Sequence, residues 1–250
     1  LNGCNMCSIK NNKNKFMKYI YKILFICTLF ISVISCKDDD EDTIIAIPEN
    51  DRTEQQVEDN DLLVTFLNTH YYNSAEVNAL ENPTNDDLVI TELLDDETVP
   101  SDAMLLMSAV ELKTTTYLEI DYEYYVLKIR QGTVLESSPK FCDKVRVKYF
   151  GALLDGTEFD SSSTPADFDL LVVITGWNRV MPEFNVGTFV TNSDGTVSYI
   201  GYGMGVMFLP SGLGYFSASQ TAIPAYSNLM FKFELLQTET ADHDSDHIPT

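Results

Sequence analysis

The sequence is poor in basic residues: 16 lysines and arginines stand against 38 aspartates and glutamates, for a formal net charge of −22. The imbalance grows after the first 35 residues, which hold five lysines and no acid, so that 11 basic residues face 38 acidic ones from Cys36 onward. Such a surface repels the phosphates of nucleic acids and of anionic lipids. We therefore expect no nucleic-acid partner and no electrostatic docking on an anionic membrane, and we expect the acidity mainly to serve solubility.

Cysteine is also scarce in the part of the chain that is long enough to fold. Three of the five cysteines lie in the first 35 residues, which leaves Cys36 and Cys142. One interior cysteine excludes a disulfide framework, and Cys142 is expected to be a small core or edge residue just before a strand. Cys4 and Cys7 have the spacing of a redox or metal pair, but no second pair follows them, so we expect no function of either.

The N-terminal apolar run is too short for a comfortable transmembrane helix. Residues 23–35 number 13, whereas a spanning helix needs about 20. With the lysines that follow Met17, the run is typical of a secretory signal peptide over residues 1–35, of which residues 1–16 are interpreted as an over-extended start. The run ends Val-Ile-Ser-Cys at Cys36, which resembles a bacterial lipobox. That resemblance implies lipidation of Cys36; the alternative is an ordinary signal peptide with an incidental cysteine.

An acidic stretch follows Cys36. Residues 37–42 read Lys-Asp-Asp-Asp-Glu-Asp, a charge run that should be solvated, and residues 36–60 are predicted to form a flexible tether. The acidic run also resembles the export tag of surface lipoproteins in Bacteroidota; the alternative is a plain tether. The resemblance implies a palmitate-bearing lipoprotein that is anchored by lipid in the outer membrane and faces the periplasm or the cell surface.

Residues 61–121 are predicted to be an accessory region packed on the domain that follows. Leucine and phenylalanine side chains near i, i+4 spacing, with Asp59 or Asn60 as a candidate cap, predict one amphipathic helix at its start. Residues 88–94 are typical of a short strand or a helix end, and residues 117–129 alternate as a strand does. The region has no catalytic constellation, and its role stays open.

Residues 145–162 carry a clear strand–turn–strand pattern. Valines and Tyr149 alternate with charged neighbours, and an Asp-Gly pair then supplies a turn. The returning chain would bring Tyr149, Phe159 and Asp160 close together. The pattern therefore predicts two aromatic rings beside one carboxylate.

Three further motifs follow in order: an apolar run at 173–177 that ends in the only tryptophan, Leu-Pro-Ser-Gly-Leu-Gly-Tyr at 209–215, and a strand-like segment at 229–236. Together with residues 145–162 they resemble the FKBP family of peptidyl-prolyl cis–trans isomerases. The resemblance implies an isomerase domain at residues 122–238. It also implies an α+β fold, in which an antiparallel twisted sheet wraps around one short helix, with a helix-plus-strand extension before it.

The resemblance implies roles for nine residues. Four are implied to be catalytic: Trp177 forms the floor under the proline ring, and Asp160 orients the substrate amide. The Tyr215 hydroxyl and the backbone N–H of Ile174 hydrogen-bond substrate carbonyls. The other five are implied to be substrate-binding walls: Tyr149, Phe159, Val173, Ile223 and Phe231. The alternative is that these aromatic residues only fill the core of a sheet.

Prolyl isomerisation needs neither a base nor a metal, because no covalent bond breaks. Its barrier is the loss of amide resonance, about 18–20 kcal/mol for an ordinary peptide bond. The twisted transition state has a less polarised carbonyl than the planar amide, so an apolar pocket that strips water from the amide favours it. We therefore expect no cofactor and no metal, and proline-containing polypeptides as partners; the sequence does not predict the oligomeric state.

Four features depart from the family pattern or add to it. Ala166 stands where the family often has a second pocket aromatic, which predicts a lower wall there. Phe216 stands where a glycine usually follows the tyrosine. Residues 188–208 are longer than usual, and a turn signal at 192–195 predicts an added hairpin near the pocket rim. Alternating glycines at 201–205 predict a close-packed or bulged strand rather than a phosphate loop.

Residues 239–250 are predicted to be a disordered polar tail. His243 and His247 lie among aspartates there, and a weak metal site is the alternative. The main hypothesis for the whole chain is a lipid-anchored isomerase that assists the folding of exported proteins, in which X-Pro isomerisation is slow. The alternatives are a non-catalytic peptide- or partner-binding module of FKBP-like fold, and an envelope protein whose working part is residues 61–121.

Overall fold

The computed structural model describes residues 49–244. Its helices are α1 (Arg52–Thr69), α2 (Ser74–Ala79), α3 (Leu106–Ala109) and α4 (Thr175–Val180), with 3₁₀ turns at Met181–Glu183 and Ser211–Leu213. Its strands are β1 (His70–Tyr72), β2 (Ile90–Glu92), β3 (Met104–Leu105), β4 (Glu111–Tyr117), β5 (Ile120–Arg130), β6 (Lys144–Leu153), β7 (Glu158–Asp169), β8 (Thr188–Thr191), β9 (Val197–Ile200), β10 (Gly203–Leu209) and β11 (Leu229–Glu239).

A six-stranded antiparallel sheet in the order β4-β5-β10-β11-β6-β7 forms the centre of the described unit. Two smaller antiparallel sheets accompany it, β2-β1-β3 near the N-terminal end and the β8–β9 hairpin. The few helices are short except α1. The predicted α+β class, with an antiparallel sheet and one short helix at its centre, is confirmed.

Helix α4 packs on the inner face of the sheet. Strand residues alternate between faces, so every second residue of β11 points to α4. Trp177 of α4 and the buried strand residues Phe231 and Phe233 share one core, and Phe184 and Val186 close it behind the helix. This core positions α4 and the residues just before it.

The outer face of the sheet is buried as well, against the N-terminal elements. Leu63 and Leu67 of α1 are fully buried, and they belong to the same core as Val206 and Phe208 of β10. Strand β10 is consequently buried at all seven positions. A strand that is covered on both faces is expected to be almost entirely apolar, and Gly-Met-Gly-Val-Met-Phe-Leu has that composition.

Two ionisable side chains of β11 lie under this N-terminal cover. The Lys232 ammonium donates to the Leu88 carbonyl oxygen at 2.6 Å, and a Glu234 carboxylate oxygen accepts from the Asn85 amide at 2.8 Å. Burial lowers the pKa of Lys232 and raises the pKa of Glu234. Hydrogen bonds from a loop far away in sequence are therefore what makes these two groups tolerable in the interior.

Helix α1 begins earlier than predicted. Its N-cap is Asp51, whose carboxylate accepts from the amides of Thr53 and Glu54, and not Asp59 or Asn60. The first two turns are polar, so the sequence pattern assigned them to a flexible tether. They are helical because several of these polar side chains are buried and bonded, among them Gln55 and Asp59. The tether prediction is wrong from residue 52 to residue 60.

The predicted strand at 117–129 is split by a tight turn. Leu118 and Glu119 both have positive φ, 49° and 65°, which lets β4 return directly as β5. Strand β4 is therefore an edge strand of the main sheet, although its residues were assigned to the accessory region. The turn was missed because neither residue is a glycine or an asparagine.

The added hairpin is present as β8 and β9, with its turn at the predicted residues and Gly195 at φ 85°. The alternating glycines also behave as predicted. The β5–β10 register shifts between Met204 and Gly205, and a Cβ on Gly205 would lie 2.6 Å from the Leu127 carbonyl oxygen.

The start of the predicted tail packs against the sheet. Strand β11 runs to Glu239, Ala241 is buried, and a ring nitrogen of His243 lies 3.0 Å from an Asp169 carboxylate oxygen. Disorder is therefore the wrong prediction for the part of the tail before residue 245; His247 lies outside the described residues. Within residues 49–244, no three His, Cys, Asp or Glu side chains cluster as metal ligands would. In the same range, no helix has the length and apolar character needed to cross a bilayer.

Candidate active site

One cavity of about 490 Å³ opens between α4, the inner face of the sheet and the loop that follows β10. It collects all nine side chains that the sequence singled out, together with five others. Its lining is Tyr149, Phe159, Asp160, Phe168, Val172, Val173, Ile174, Trp177, Tyr215, Gln220, Thr221, Ala222, Ile223 and Phe231. Asp160 is the only charged side chain in this set, so the cavity is apolar with one anionic edge.

Trp177 forms the floor of the cavity and is only 3% exposed. Its ring makes edge-to-face contacts with Phe168 at 5.2 Å, Phe231 at 5.3 Å and Tyr149 at 6.0 Å between centroids. Such pairs stabilise by about 0.5–1.5 kcal/mol each beyond the area that they bury. These three rings therefore hold the indole of Trp177 in one orientation against the cavity.

Asp160 is held at the edge of the cavity by Tyr149. The tyrosine hydroxyl donates to a carboxylate oxygen of Asp160 at 2.7 Å. The Asp-Gly turn between β6 and β7 places the two residues on neighbouring strands, as predicted. Burial raises the pKa of Tyr149, and the bond to the Asp160 carboxylate raises it further. The tyrosine therefore keeps its proton and fixes the carboxylate.

The loop after β10 supplies the opposite wall. Ile223 is 5% exposed and sits in a short bridge, since the Gln220 amide donates to the Ile223 carbonyl oxygen at 2.8 Å and the reverse bond is 3.2 Å. Tyr215 is 37% exposed, and no acceptor or donor for its hydroxyl is found among residues 49–244. Its hydroxyl is therefore available to a ligand.

We predict that the pKa of Tyr215 lies above its usual value and that Asp160→Asn lowers it. Burial raises the pKa of Tyr215, and the Asp160 charge adds to that effect. A phenolate beside a carboxylate is disfavoured, so removal of the carboxylate charge eases ionisation while burial persists. NMR titration of labelled tyrosine rings, with Tyr215→Phe to assign the signal, measures both values. An unchanged Tyr215 pKa in Asp160→Asn would contradict the coupling.

Ile174 lines the cavity and carries a backbone N–H without an acceptor in the described chain. The residue is the N-cap of α4 with φ −57° and ψ 149°, and its carbonyl oxygen accepts from the Trp177 amide at 3.1 Å. An N-cap N–H has no partner inside its helix. Nor does any other group in the described chain accept from it. It is therefore a donor that a bound carbonyl can use.

The predicted lower wall at Ala166 is wrong, because the ring of Phe168 forms the wall on that side of the cavity. Both residues lie on the inner side of β7, where Ala166 pairs with Val147 and Phe168 with Val145. The aromatic ring two residues after Ala166 contacts both Trp177 and Tyr149. The signal that could have identified Phe168 is the strand period of two, because every second side chain of a strand points the same way.

Four more lining residues were not identified from the sequence. Val172 is 80% exposed at the rim, in the turn between β7 and α4. Gln220, Thr221 and Ala222 lie in the loop wall beside Ile223. They belong to irregular segments without periodicity, so no pattern marked them.

The predicted hairpin lies away from the cavity. No residue of β8 or β9 lines the cavity, so the placement of the hairpin at the rim is wrong; Tyr199 instead packs with the outer-face core. Cys36 lies outside the described residues.

The chain is similar in sequence to members of one family of known proteins. Residues 135–191, less than a quarter of the chain, match the family model of FKBP-type peptidyl-prolyl cis-trans isomerases. The chain is similar to the FKBP-type peptidyl-prolyl cis-trans isomerase FkpA of Aeromonas hydrophila, with 36% identity over 132 residues, which are 52% of this chain and 42% of the relative. The Escherichia coli FkpA is 33% identical over 121 residues, covering 47% of this chain and 38% of its own.

Two further similarities are shorter or weaker. The peptidyl-prolyl cis-trans isomerase Mip of Coxiella burnetii is 41% identical over 68 residues, covering 26% of this chain and 28% of Mip. The crystal structure of Escherichia coli FkpA aligns with a TM-score of 0.39 at 29% identity over 50% of this chain and 51% of that one. The chain thus spans less than half the length of the FkpA sequences it matches. The chain is therefore similar to FKBP-type peptidyl-prolyl cis–trans isomerases over about half of its length.

Proposed function

We propose that the protein is a peptidyl-prolyl cis–trans isomerase that acts on X-Pro bonds in polypeptides. The observation that carries the proposal is the apolar cavity floored by Trp177, in which Asp160 is the only charged side chain of the lining. A proline ring fits a floor of this kind, because it is apolar and carries no N–H that would need an acceptor. The family match and the relatives support the same activity.

In the proposed complex, two donors fix the substrate backbone. The Ile174 N–H at the start of α4 donates to one substrate carbonyl, and the Tyr215 hydroxyl donates to another. Both groups have no partner of their own among the described residues. Asp160, which Tyr149 holds in place, lies beside the X-Pro amide that must rotate, and its charge orients that amide.

The rate enhancement arises from the environment and not from a reactive group. Rotation removes amide resonance, and the carbonyl is then less polarised than in the planar ground state. An apolar cavity penalises the polar planar form more than the twisted form. Each factor of ten in rate requires only about 1.4 kcal/mol of such differential stabilisation. Fixing the flanking carbonyls also lowers the entropy that is lost at the barrier.

We expect the chain from residue 37 onward to accelerate isomerisation of a short X-Pro peptide well above a double variant, Asp160→Val with Trp177→Ala. The double variant removes both the charge and the floor while it leaves the rest of the lining in place. A protease-coupled assay measures the rate, and circular dichroism verifies that both proteins are folded. Equal rates for two folded proteins would contradict the isomerase activity and leave a peptide-binding module as the function.

We further propose that the protein is a lipoprotein of the outer membrane, of the kind found in Bacteroidota, that faces the periplasm or the cell surface. The support is in the sequence: a signal-like apolar run, the small residue before Cys36, and the acidic run after it. An acyl chain contributes about 0.8 kcal/mol per buried methylene, so multiple acylation at one cysteine holds a protein firmly in a bilayer. The isomerase would then act on exported polypeptides during folding.

Cys36→Ser should abolish incorporation of a labelled palmitate analogue and release the protein from the membrane fraction. Cys142→Ser is the matched control, because Cys142 is the buried interior cysteine and should not affect labelling. Labelling that persists in Cys36→Ser would contradict the proposed anchor. Protease treatment of intact cells would distinguish the cell surface, where the protein is digested, from the periplasm.

A further inference from the structure

The loop of residues 210–228, called the pocket loop here, joins β10 to β11 and carries a wall of the cavity. It contributes Tyr215, Ile223 and three residues between them. Most of this loop is irregular, with positive φ at Phe216 (51°) and Tyr226 (60°). A long irregular loop has no sheet ladder to hold it, so its position depends on side-chain contacts.

Asp59 of α1 holds both ends of the pocket loop. A carboxylate oxygen of Asp59 accepts from the Ser211 amide at 2.8 Å and from the Ser211 hydroxyl at 2.6 Å. The backbone carbonyl oxygen of Asp59 accepts from the Asn228 side-chain amide at 2.9 Å. The other carboxylate oxygen accepts from Gln55 at 2.8 Å. Asp59 is fully buried, so these bonds replace the water that the carboxylate has lost.

The residues before Asp59 hold the middle of the pocket loop. The Arg52 guanidinium lies 3.8 Å from the centre of the Phe216 ring, and that ring packs edge-to-face on Tyr226 at 5.1 Å. The Asn50 amide donates to the Tyr226 hydroxyl at 3.0 Å, and the Ser217 hydroxyl donates to Glu49. These contacts join the positive-φ residues of the loop to the N-terminal segment.

We propose that the N-terminal segment of residues 49–59 positions the pocket loop over the active site, with Asp59 and Arg52 as its positioning residues. The inference rests on the proposed isomerase function, for which the loop supplies Tyr215 and Ile223. Residue 216 immediately follows the proposed donor Tyr215, so the ring that Arg52 covers fixes the backbone from which that donor extends. The segment lies some 75 residues or more before the part of the chain that matches the family model, at residues 135–191.

The segment, which the sequence had assigned to a tether, thus has a role in substrate binding, although no residue of the segment lines the cavity. An error of about 1 Å in the placement of a group that contacts substrate can cost on the order of a hundredfold in rate. The loop walls contact substrate in the ground state as well as at the barrier, so the loss should appear mainly in KM. A simple loss of folded protein behaves differently, because it lowers the apparent kcat and leaves KM unchanged.

Two substitutions test the proposal in the chain from residue 37 onward, which includes the whole described unit. Asp59→Asn leaves one acceptor oxygen where the carboxylate has two, so Ser211 and Gln55 compete for it, and we expect KM to rise about tenfold. Arg52→Ala removes the guanidinium from the buried Phe216 ring without emptying the core, and we expect a smaller rise in KM of about threefold. If Asp59→Asn folds poorly, Arg52→Ala still tests the proposal.

Leu63→Ala is the matched control on the same helix. Leu63 lies about one turn after Asp59 and is fully buried against the outer face of the sheet, away from the pocket loop. The variant should lose stability while KM stays at the wild-type value. A rise in KM that is as large in Leu63→Ala as in Arg52→Ala would overturn the proposal, since a general loss of stability would then account for both.

Amide hydrogen exchange separates this proposal from the isomerase activity. The Ser211 amide donates to Asp59 and the Phe216 amide donates to the Ser211 carbonyl oxygen, so both report on the loop base. We expect both amides to exchange faster in Asp59→Asn and Arg52→Ala than in Leu63→Ala, even where the wild-type protein proves inactive on X-Pro peptides. Wild-type exchange rates and wild-type KM in both positioning variants would overturn the role of the segment.

Discussion

Ile174→Pro should lower kcat/KM for X-Pro peptides roughly tenfold to a hundredfold, because it deletes a backbone donor of the proposed complex. A missing hydrogen bond that leaves a buried carbonyl unpaired costs about 1–3 kcal/mol, and each factor of ten in rate corresponds to about 1.4 kcal/mol. Proline fits at this position, since φ of Ile174 is −57° and proline holds φ near −65°. The lost N–H has no partner in the described protein, so folding loses no bond.

The matched control is Ile174→Ala, which shortens the side chain and keeps the N–H. Ile174 also lines the cavity, so part of any effect comes from its side chain. The difference between the proline and alanine variants isolates the donor. The two rates are measured on the same peptide, with thermal unfolding recorded for each protein. Equal kcat/KM values in Ile174→Pro and Ile174→Ala would show that this N–H does not bind substrate.

The positions of the candidate site were predictable because each came from a local motif. The Asp-Gly turn between β6 and β7 brings Phe159 and Asp160 back beside Tyr149, and that geometry depends on a few consecutive residues. Trp177 follows an apolar run into a short helix in the same way. The relation between the motifs, however, was supplied by the family resemblance and not by spacing.

Phe168 was missed because the resemblance assigned the wall to Ala166, and a strand irregularity just before Ala166 shifts which residue of β7 reaches the cavity. Between Val147 and Tyr149 the pairing with β7 shifts, and residues 163–165 have no single partner. A bulge of this kind changes which residue faces the pocket, and a sequence pattern does not show its place. The residue at the position expected for the wall was therefore Ala166, and the ring that forms the wall came two residues later.

The polar start of α1 was misread for a different reason. Polarity predicts exposure unless a partner is near, and the partner of Asp59 is Ser211, 152 residues away in sequence. Burial raises the pKa of Asp59, which shows how unfavourable the site would be without those bonds. Only the tertiary structure shows that these residues are part of the protein interior and not of a tether.

Strand β10 held a usable signal for the role of the N-terminal region. Its seven residues are all apolar or glycine, whereas a sheet with one wet face alternates. The unbroken run indicates a cover on both faces, and the only candidate for the second cover was the region before β4. The structure bears this out with α1, α2 and α3 on the outer face.

The second large prediction follows: a chain truncated to begin at Glu111 should not fold. The truncation removes the helices that cover the outer face, and it exposes apolar side chains of the sheet that are now buried: Leu127, Met204, Val206, Phe208, Met230 and Leu236. Each such burial stabilises by about 1.5–3 kcal/mol. Summed over several side chains, the lost stabilisation is as large as the free energy of unfolding of a typical domain, roughly 5–15 kcal/mol. We expect aggregation, or a collapsed state without cooperative unfolding that binds a dye specific for exposed apolar surface.

A chain that begins at Glu49 is the matched control and should unfold cooperatively on heating, because it retains both cores. A second variant tests the cause. In the chain from Glu111, replacing Val206, Phe208 and Met230 by threonine should improve solubility, because the newly exposed face of the sheet is then less apolar. A chain from Glu111 that unfolds cooperatively with the stability of the Glu49 chain would show that residues 111–244 fold without the N-terminal cover. The region before β4 would then be an independent appendage, and the two-sided burial of β10 would contribute little to stability.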